Sequence, residues 1–160
     1  MKFESKDLES IFESCFGHEY RTVLIGGGAE PFYLPSPDPD VSPHRVVYRS
    51  DYVASALHEI AHWCLAGRRR RGLEDYGYWY RPDGRSPEEQ AEFERVEAKP
   101  QAIEWVFSNA CGLSFVLSAD NLTAGMGASE RFEAEVRSWR DRFLEDGLPP
   151  RAARFRSALG

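Results

Sequence analysis

At 160 residues, with 42% hydrophobic and 29% charged side chains, the chain has the size and composition of one globular domain with a real hydrophobic core, which excludes a disordered or fibrous protein. Its 26 acidic and 20 basic residues leave a net charge of −6, a poor balance for a general nucleic-acid binder, whose affinity rests on neutralising phosphates. No apolar run reaches membrane-spanning length and the start, Met1 to Asp7, is too polar for a signal peptide, so no membrane partner and a cytoplasmic location are expected.

Leu8, Ile11, Phe12 and Cys15 recur at three- and four-residue spacing and predict a short amphipathic helix over residues 5–16. Thr22 to Ile25 is a small apolar stretch, and Gly26, Gly27 and Gly28 after it read as a turn, because they lack the spacing of a phosphate loop. Prolines 31, 35, 37, 39 and 43 exclude helix there and leave Phe32-Tyr33-Leu34 and Arg45 to Tyr48 as short strands. Ser50 and Asp51 then supply an N-cap signal for a helix running to about Gly67. The basic run Arg68 to Arg71 reads as a solvated helix end.

Residues 72–85 are irregular, and Ser86-Pro87-Glu88-Glu89 forms a capping box with proline at the first helical position. The helix it opens runs towards Gly112 and is interrupted at Pro100. A further helix covers about 129–146 and ends at Gly147-Leu148-Pro149. The expected fold is a single α+β domain over 1–160, with its β component in the first third and mostly helical after residue 50. Three distant cysteines, Cys15, Cys64 and Cys111, read as reduced thiols, and without an export signal Asn121-Leu122-Thr123 has no reason to be glycosylated. Nothing specifies an oligomer, and a monomer is expected.

Chemistry concentrates at His58-Glu59-Ile60-Ala61-His62, the two-histidine helical metal motif, as on a zincin-like helix. Residues four apart on a helix lie about 40° apart around its axis, so both imidazoles reach one ion. Between Tyr52 and Gly67 the only ionisable groups of the Asp, Glu, Lys, Arg and His kinds are His58, Glu59 and His62, amid Val53, Ala56, Leu57, Ile60, Trp63 and Leu65. A helix apolar on nearly every side is a buried one, and burying these three groups unpaired would be costly; a divalent cation partners all of them. Cys64, on another face, reads as a small core residue.

A third protein ligand is required, and Glu97 and Glu104, each between apolar neighbours, are equal candidates by pattern. Two imidazoles and a carboxylate serve two reaction classes. With zinc they activate water, with Glu59 as general base, as in a metallopeptidase; with Fe(II) they form a facial triad open to O₂ and substrate. By the pentapeptide alone the zinc peptidase is the default. A third reading is a non-catalytic module in which a metal closed by four protein ligands stabilises the fold.

Longer stretches alter that order. Ala54 to Cys64, Asp75-Tyr76-Gly77-Tyr78-Trp79-Tyr80, Pro82-Asp83-Gly84-Arg85, Val96-Glu97 and Lys99-Pro100-Gln101-Ala102 closely resemble the bacterial elongation factor P hydroxylase family. Weaker similarity at Glu30-Pro31, Tyr33-Leu34-Pro35, Pro150-Arg151 and Ala153-Arg154-Phe155 extends the resemblance over nearly the whole chain. It implies an iron-dependent monooxygenase, with O₂ as cosubstrate, acting on the β-lysylated lysine of translation elongation factor P. It also implies His58, His62 and Glu97 as iron ligands. Glu59 then suits a hydrogen bond that orients a ligand. Asp75, Tyr76, Tyr78, Trp79, Tyr80 and Asp83 would suit a long cationic side chain by charge pairing and cation–π contact, or would pack the core. The spacing of β-helix oxygenases that use 2-oxoglutarate is absent, so that cosubstrate is not assigned.

Overall fold

Ser5, Leu8 and Phe12 bury one stripe of a first helix, α1 (Ser5–Phe12), which continues through a π turn at Glu13–Gly17 into the short α2 (His18–Tyr20). The structure is a computed structural model that describes residues 3–78, 85–117 and 130–160. Arg21, in the left-handed conformation, turns the chain into β1 (Thr22–Gly28). β2 (Phe32–Leu34) and β3 (His44–Arg49) fall where the proline-bounded stretches place them. β3 lies in the middle of a three-stranded sheet, parallel to β1 and antiparallel to β2, with Leu24 opposite Val46 and Tyr33 opposite Val46 on the other side.

The glycine triplet is strand rather than turn. β1 runs on through Gly26 and Gly28 with a bulge between Ile25 and Gly28. A Cβ on Gly26 would stand 2.6 Å from the Tyr48 ring and from the Ser50 carbonyl, so only glycine allows β1 this close to the end of β3.

The same pairing corrects the expected N-cap. Ser50 donates its N–H to the Gly28 carbonyl, accepts from Gly27, and sits at φ 49°, so it belongs to the strand junction. The metal-motif helix, α3 (Val53–Leu65), is preceded by Tyr52 and has no side-chain cap. Ser55 instead turns back to accept the Arg49 N–H at 2.9 Å.

Ala56, Leu57, Ile60, Ala61, Trp63 and Cys64 of α3 are buried, enclosed by β3, α1 and two of the later helices, Pro87–Ala110 and Pro150–Ala158. α4 (Pro87–Ala110) opens with the expected capping box: Ser86 Oγ accepts from Glu89 N at 3.1 Å and Glu89 Oε1 from Ser86 N at 3.0 Å. It is not interrupted at Pro100; the helix continues through the proline, and the Val96 carbonyl goes without the amide partner that residue 100 would normally supply.

α5 (Glu130–Asp146) packs on α4, and a last helix, α6 (Pro150–Ala158), packs on α3, α4 and α1. The Trp63 ring joins these layers, 5.1 Å from Phe12, 4.8 Å from Phe16 and 5.2 Å from Tyr20 between centroids. The architecture is α+β, and the sheet and helices share a core of Leu8, Phe12, Val46, Leu57, Ile60, Ile103 and Phe155. No helix among the described residues is long and apolar enough to cross a membrane.

Candidate metal centre

α3 and α4 cross so that two residues of one face two of the other. His58 and His62, one turn apart, bring their Nε2 atoms to 3.2 Å. Glu97 and Glu104, two turns apart on one face of α4, meet them separately. Glu97 Oε2 lies 2.9 Å from His62 Nε2, and Oε1 lies 3.8 Å from His58 Nε2. Glu104 Oε1 takes the other side of the His58 ring, 2.6 Å from Nδ1.

The two glutamates left equal by pattern therefore stand in different places. Among the described residues His58, His62 and Glu97 form the group able to hold a metal, one ligand atom from each lying within 4.8 Å of the others. Glu104 fixes the orientation of His58 instead. A hydrogen on Nδ1 held by Glu104 leaves Nε2 as the lone-pair nitrogen facing Glu97 and His62.

These separations suit one ion. Ligand atoms about 2.0–2.2 Å from a metal stand about 3 Å apart when adjacent in its coordination shell. Two imidazole nitrogens at 3.2 Å can share at most one proton, and Glu97 Oε2, buried and close to His62, is not aligned to accept a hydrogen bond from it. Three acceptor atoms thus converge with too few protons between them, an arrangement that a cation relieves.

The electrostatics show an excess of negative charge, which a proton on His58 answers in the absence of an ion. Burial works to lower the His58 pKa, but the charge and hydrogen bond of Glu104, followed by Glu97 and Glu59, raise it to about 10. Burial works to raise the Glu97 carboxyl, and the nearby His62 and His58 draw it down to about 2. The imidazoles keep some exposure, 25% for His58 and 18% for His62, so one side of the cluster is reachable from solvent.

Glu59 stays outside the convergent group. Burial raises its pKa against the pull of His58 and His62. Cys64 also stays out and is a buried thiol pushed up to about 12 by burial.

A cavity of about 340 Å³ adjoins His62, walled by Leu65, Tyr76, Tyr78, Val96, Pro100 and Trp139, with Arg70, Arg95 and Lys99 around them. The expected aromatic pocket divides. Tyr78 lines the cavity beneath the Arg70 guanidinium, 4.0 Å from its ring centroid. Tyr76 lines it too but is buried and stacked on Tyr33 at 4.4 Å, so packing and lining are combined in one side chain. Asp75 does not line it; its carboxylate accepts the Tyr33 amide at 2.9 Å and ties this segment to β2. Trp79, Tyr80 and Asp83 lie outside the described residues, as does Asn121.

The arginine run is mostly solvated, as expected, but two of its members also bond the backbone. Arg68, Arg69 and Arg70 are exposed, while Arg70 also donates to the Tyr76 carbonyl and the half-buried Arg71 to the Ala66 carbonyl at the end of α3. Sequence reasoning missed this wall and the part played by Glu104. The seven-residue interval from Glu97 to Glu104 was the available signal for the latter.

Comparison with known proteins gives a consistent result. The family described as elongation factor P hydroxylase matches residues 11–160. A protein of Haemophilus influenzae described as elongation factor P lysine hydroxylase is 47% identical over 159 residues, covering 99% of this chain and 89% of that protein.

Proposed function

This chain belongs to the elongation factor P hydroxylase family, and from that premise we propose that it hydroxylates the β-lysylated lysine side chain of translation elongation factor P, with Fe(II) as metal and O₂ as cosubstrate. The observation that carries the reading is the convergence of His58, His62 and Glu97 in a chain of this family. A bound Fe(II) would supply open coordination positions and the redox chemistry that activates O₂.

The protein's own residues do the rest. His58 and His62 present imidazole nitrogens from a helix anchored in the core, and Glu97 presents a carboxylate from the facing helix. Glu104 keeps the His58 ring from rotating by holding Nδ1. Glu59, half-buried on the same helix, stays outside the ligands, and burial favours its protonated form. Tyr78 lines the cavity beside His62. The partly exposed side of the imidazoles is where a side chain projecting from another protein reaches the ligands. The chain would act as a cytoplasmic monomer.

The test is the intact mass of β-lysylated elongation factor P after incubation with this protein, Fe(II), a reductant and air. The expected result is the gain of one oxygen atom, absent without air and absent with His58→Ala. No gain with iron-loaded, folded protein would overturn the reading. Peptide cleavage by zinc-loaded protein, lost in Glu59→Gln, would then put the metallopeptidase first.

A further inference from the structure

The cavity against His62 has the volume of a small-molecule site, and its charge is opposite to what a lysyl substrate needs. Its described lining carries Arg70, Arg95 and Lys99 and no carboxylate. Arg95 is engaged by Glu92 at 2.6 Å. Arg70 and Lys99 have no carboxylate partner among the described residues: Arg70 donates to the Tyr76 carbonyl and lies over Tyr78, and Lys99 Nζ stands 4.9 Å from the Trp139 centroid.

A second feature of the lining is independent of charge. Tyr76 is 5% exposed, and its hydroxyl has no hydrogen-bond partner. Its backbone is also strained, with Tyr76 at φ 61° and Asp75 at φ 48°, a left-handed pair that only the surrounding contacts can hold. Those contacts are present in the Tyr33–Asp75 hydrogen bond, the Tyr33–Tyr76 stack and the Arg70 bond to the Tyr76 carbonyl. The fold thus spends strain to hold the Tyr76 ring in the cavity wall and, through its carbonyl, to fix the Arg70 guanidinium there.

We propose that this cavity is the site of a small organic anion, held by Arg70 and Lys99, while the lysine side chain reaches the ligands from another direction. The site itself stands on the cavity; its use in turnover rests on the hydroxylase reading. Hydroxylating a C–H bond with O₂ needs two electrons from a co-reactant. An anion of either of two classes supplies them. A 2-oxo acid takes up one oxygen atom and leaves as a carboxylate one carbon shorter plus CO₂, while the other oxygen enters the substrate. An ene-diol acid loses two electrons and two protons to become a diketone, and the second oxygen atom leaves as water.

The experiment is calorimetry and thermal melting of the metal-free full chain with 2-oxoglutarate, ascorbate and, as a cationic control, free lysine. Metal-free protein is used so that an ion alone cannot hold the carboxylate. Binding of either anion, weakened about tenfold in Lys99→Gln and in Arg70→Gln, with lysine inert, is the expected result. Which anion binds distinguishes the two classes.

Three outcomes overturn the site: neither anion binds, binding is unchanged in the well-folded Lys99→Gln, or lysine competes. If no small anion binds and Lys99→Gln instead raises KM for the protein substrate, the wall receives an acidic side chain of that substrate. No oxygen or elongation factor enters this assay, so its failure leaves the mass test standing, and the reverse also holds.

Discussion

Glu104 holds His58 through a single contact, 2.6 Å to Nδ1, and that contact decides which nitrogen faces the metal position. Glu104→Gln is expected to lower metal affinity about 10–100-fold in a chelator competition. Equal affinity in the variant would reduce Glu104 to a helix–helix contact. Tyr78 and Asp75 separate in the same manner. Tyr78→Ala, at the cavity, should reduce turnover more than melting temperature. Asp75→Ala removes the acceptor of the Tyr33 amide and should reduce both; unchanged kinetics with lost thermal stability in both variants would make these residues packing only.

Two other tyrosines set an alkaline limit. Burial pushes the Tyr33 and Tyr48 phenols up to about 12; the Tyr33 hydroxyl donates to the Arg71 carbonyl and the Tyr48 hydroxyl to Glu9. Their folded values lie above the ordinary value of about 10, so folding favours the protonated forms. Their contribution is fully present below pH 10 and disappears as the pH rises towards 12. Circular dichroism and tyrosinate absorbance should show these two ionising together with loss of structure, and ionisation near pH 10 in an intact fold would contradict this.

At the scale of the element, α3 owes its position to its neighbours more than to its own ends. Arg151 of α6 reaches back to donate to the Trp63 carbonyl at 2.6 Å and to the Ala66 carbonyl, with its guanidinium 4.7 Å from the Trp63 ring centroid. Arg71 adds a bond to the same Ala66 carbonyl at 2.7 Å. These cations satisfy carbonyls that a helix end leaves open. Arg151→Ala should therefore cost about 2 kcal/mol in denaturant unfolding, and a change within error would show that water replaces the guanidinium fully.

What was legible in the sequence follows from how local each feature is. The capping box of α4 and the two-histidine spacing of α3 are set within one turn of helix, and both stand as expected. Ser50 misled because a distant strand uses its backbone, and α6 was missed because nine residues with one buried phenylalanine give little periodicity. The glycine strand, the different places of Glu97 and Glu104, and the cationic lining from Arg70 to Trp139 exist only once separate elements meet.

Over the whole molecule, an ion at the candidate site would tie the sheet-backed α3 to α4 and, through it, to α5 and α6. A ligand that binds the folded state alone at 100 times its Kd adds about 2.7 kcal/mol of stability. At this chain length that corresponds to a rise of about 5–10 °C in melting temperature, reversed by a chelator. His58→Ala should abolish the rise, and a metal-induced rise of the same size in that variant would place the ion elsewhere.

The bulge in β1 bears on the molecule's behaviour in crowded solution. β1 and β2 are the outer strands of the sheet, and a straight outer strand offers open amides and carbonyls to any similar chain nearby. Gly27, at φ 94°, bends β1 where Ile25 is 45% exposed. Gly27→Val would meet nothing within 4 Å of its Cβ, yet valine is strained at φ 94° and favours an extended backbone. The consequence is a straighter, stickier margin, and so a lower concentration at which the protein self-associates into aggregates.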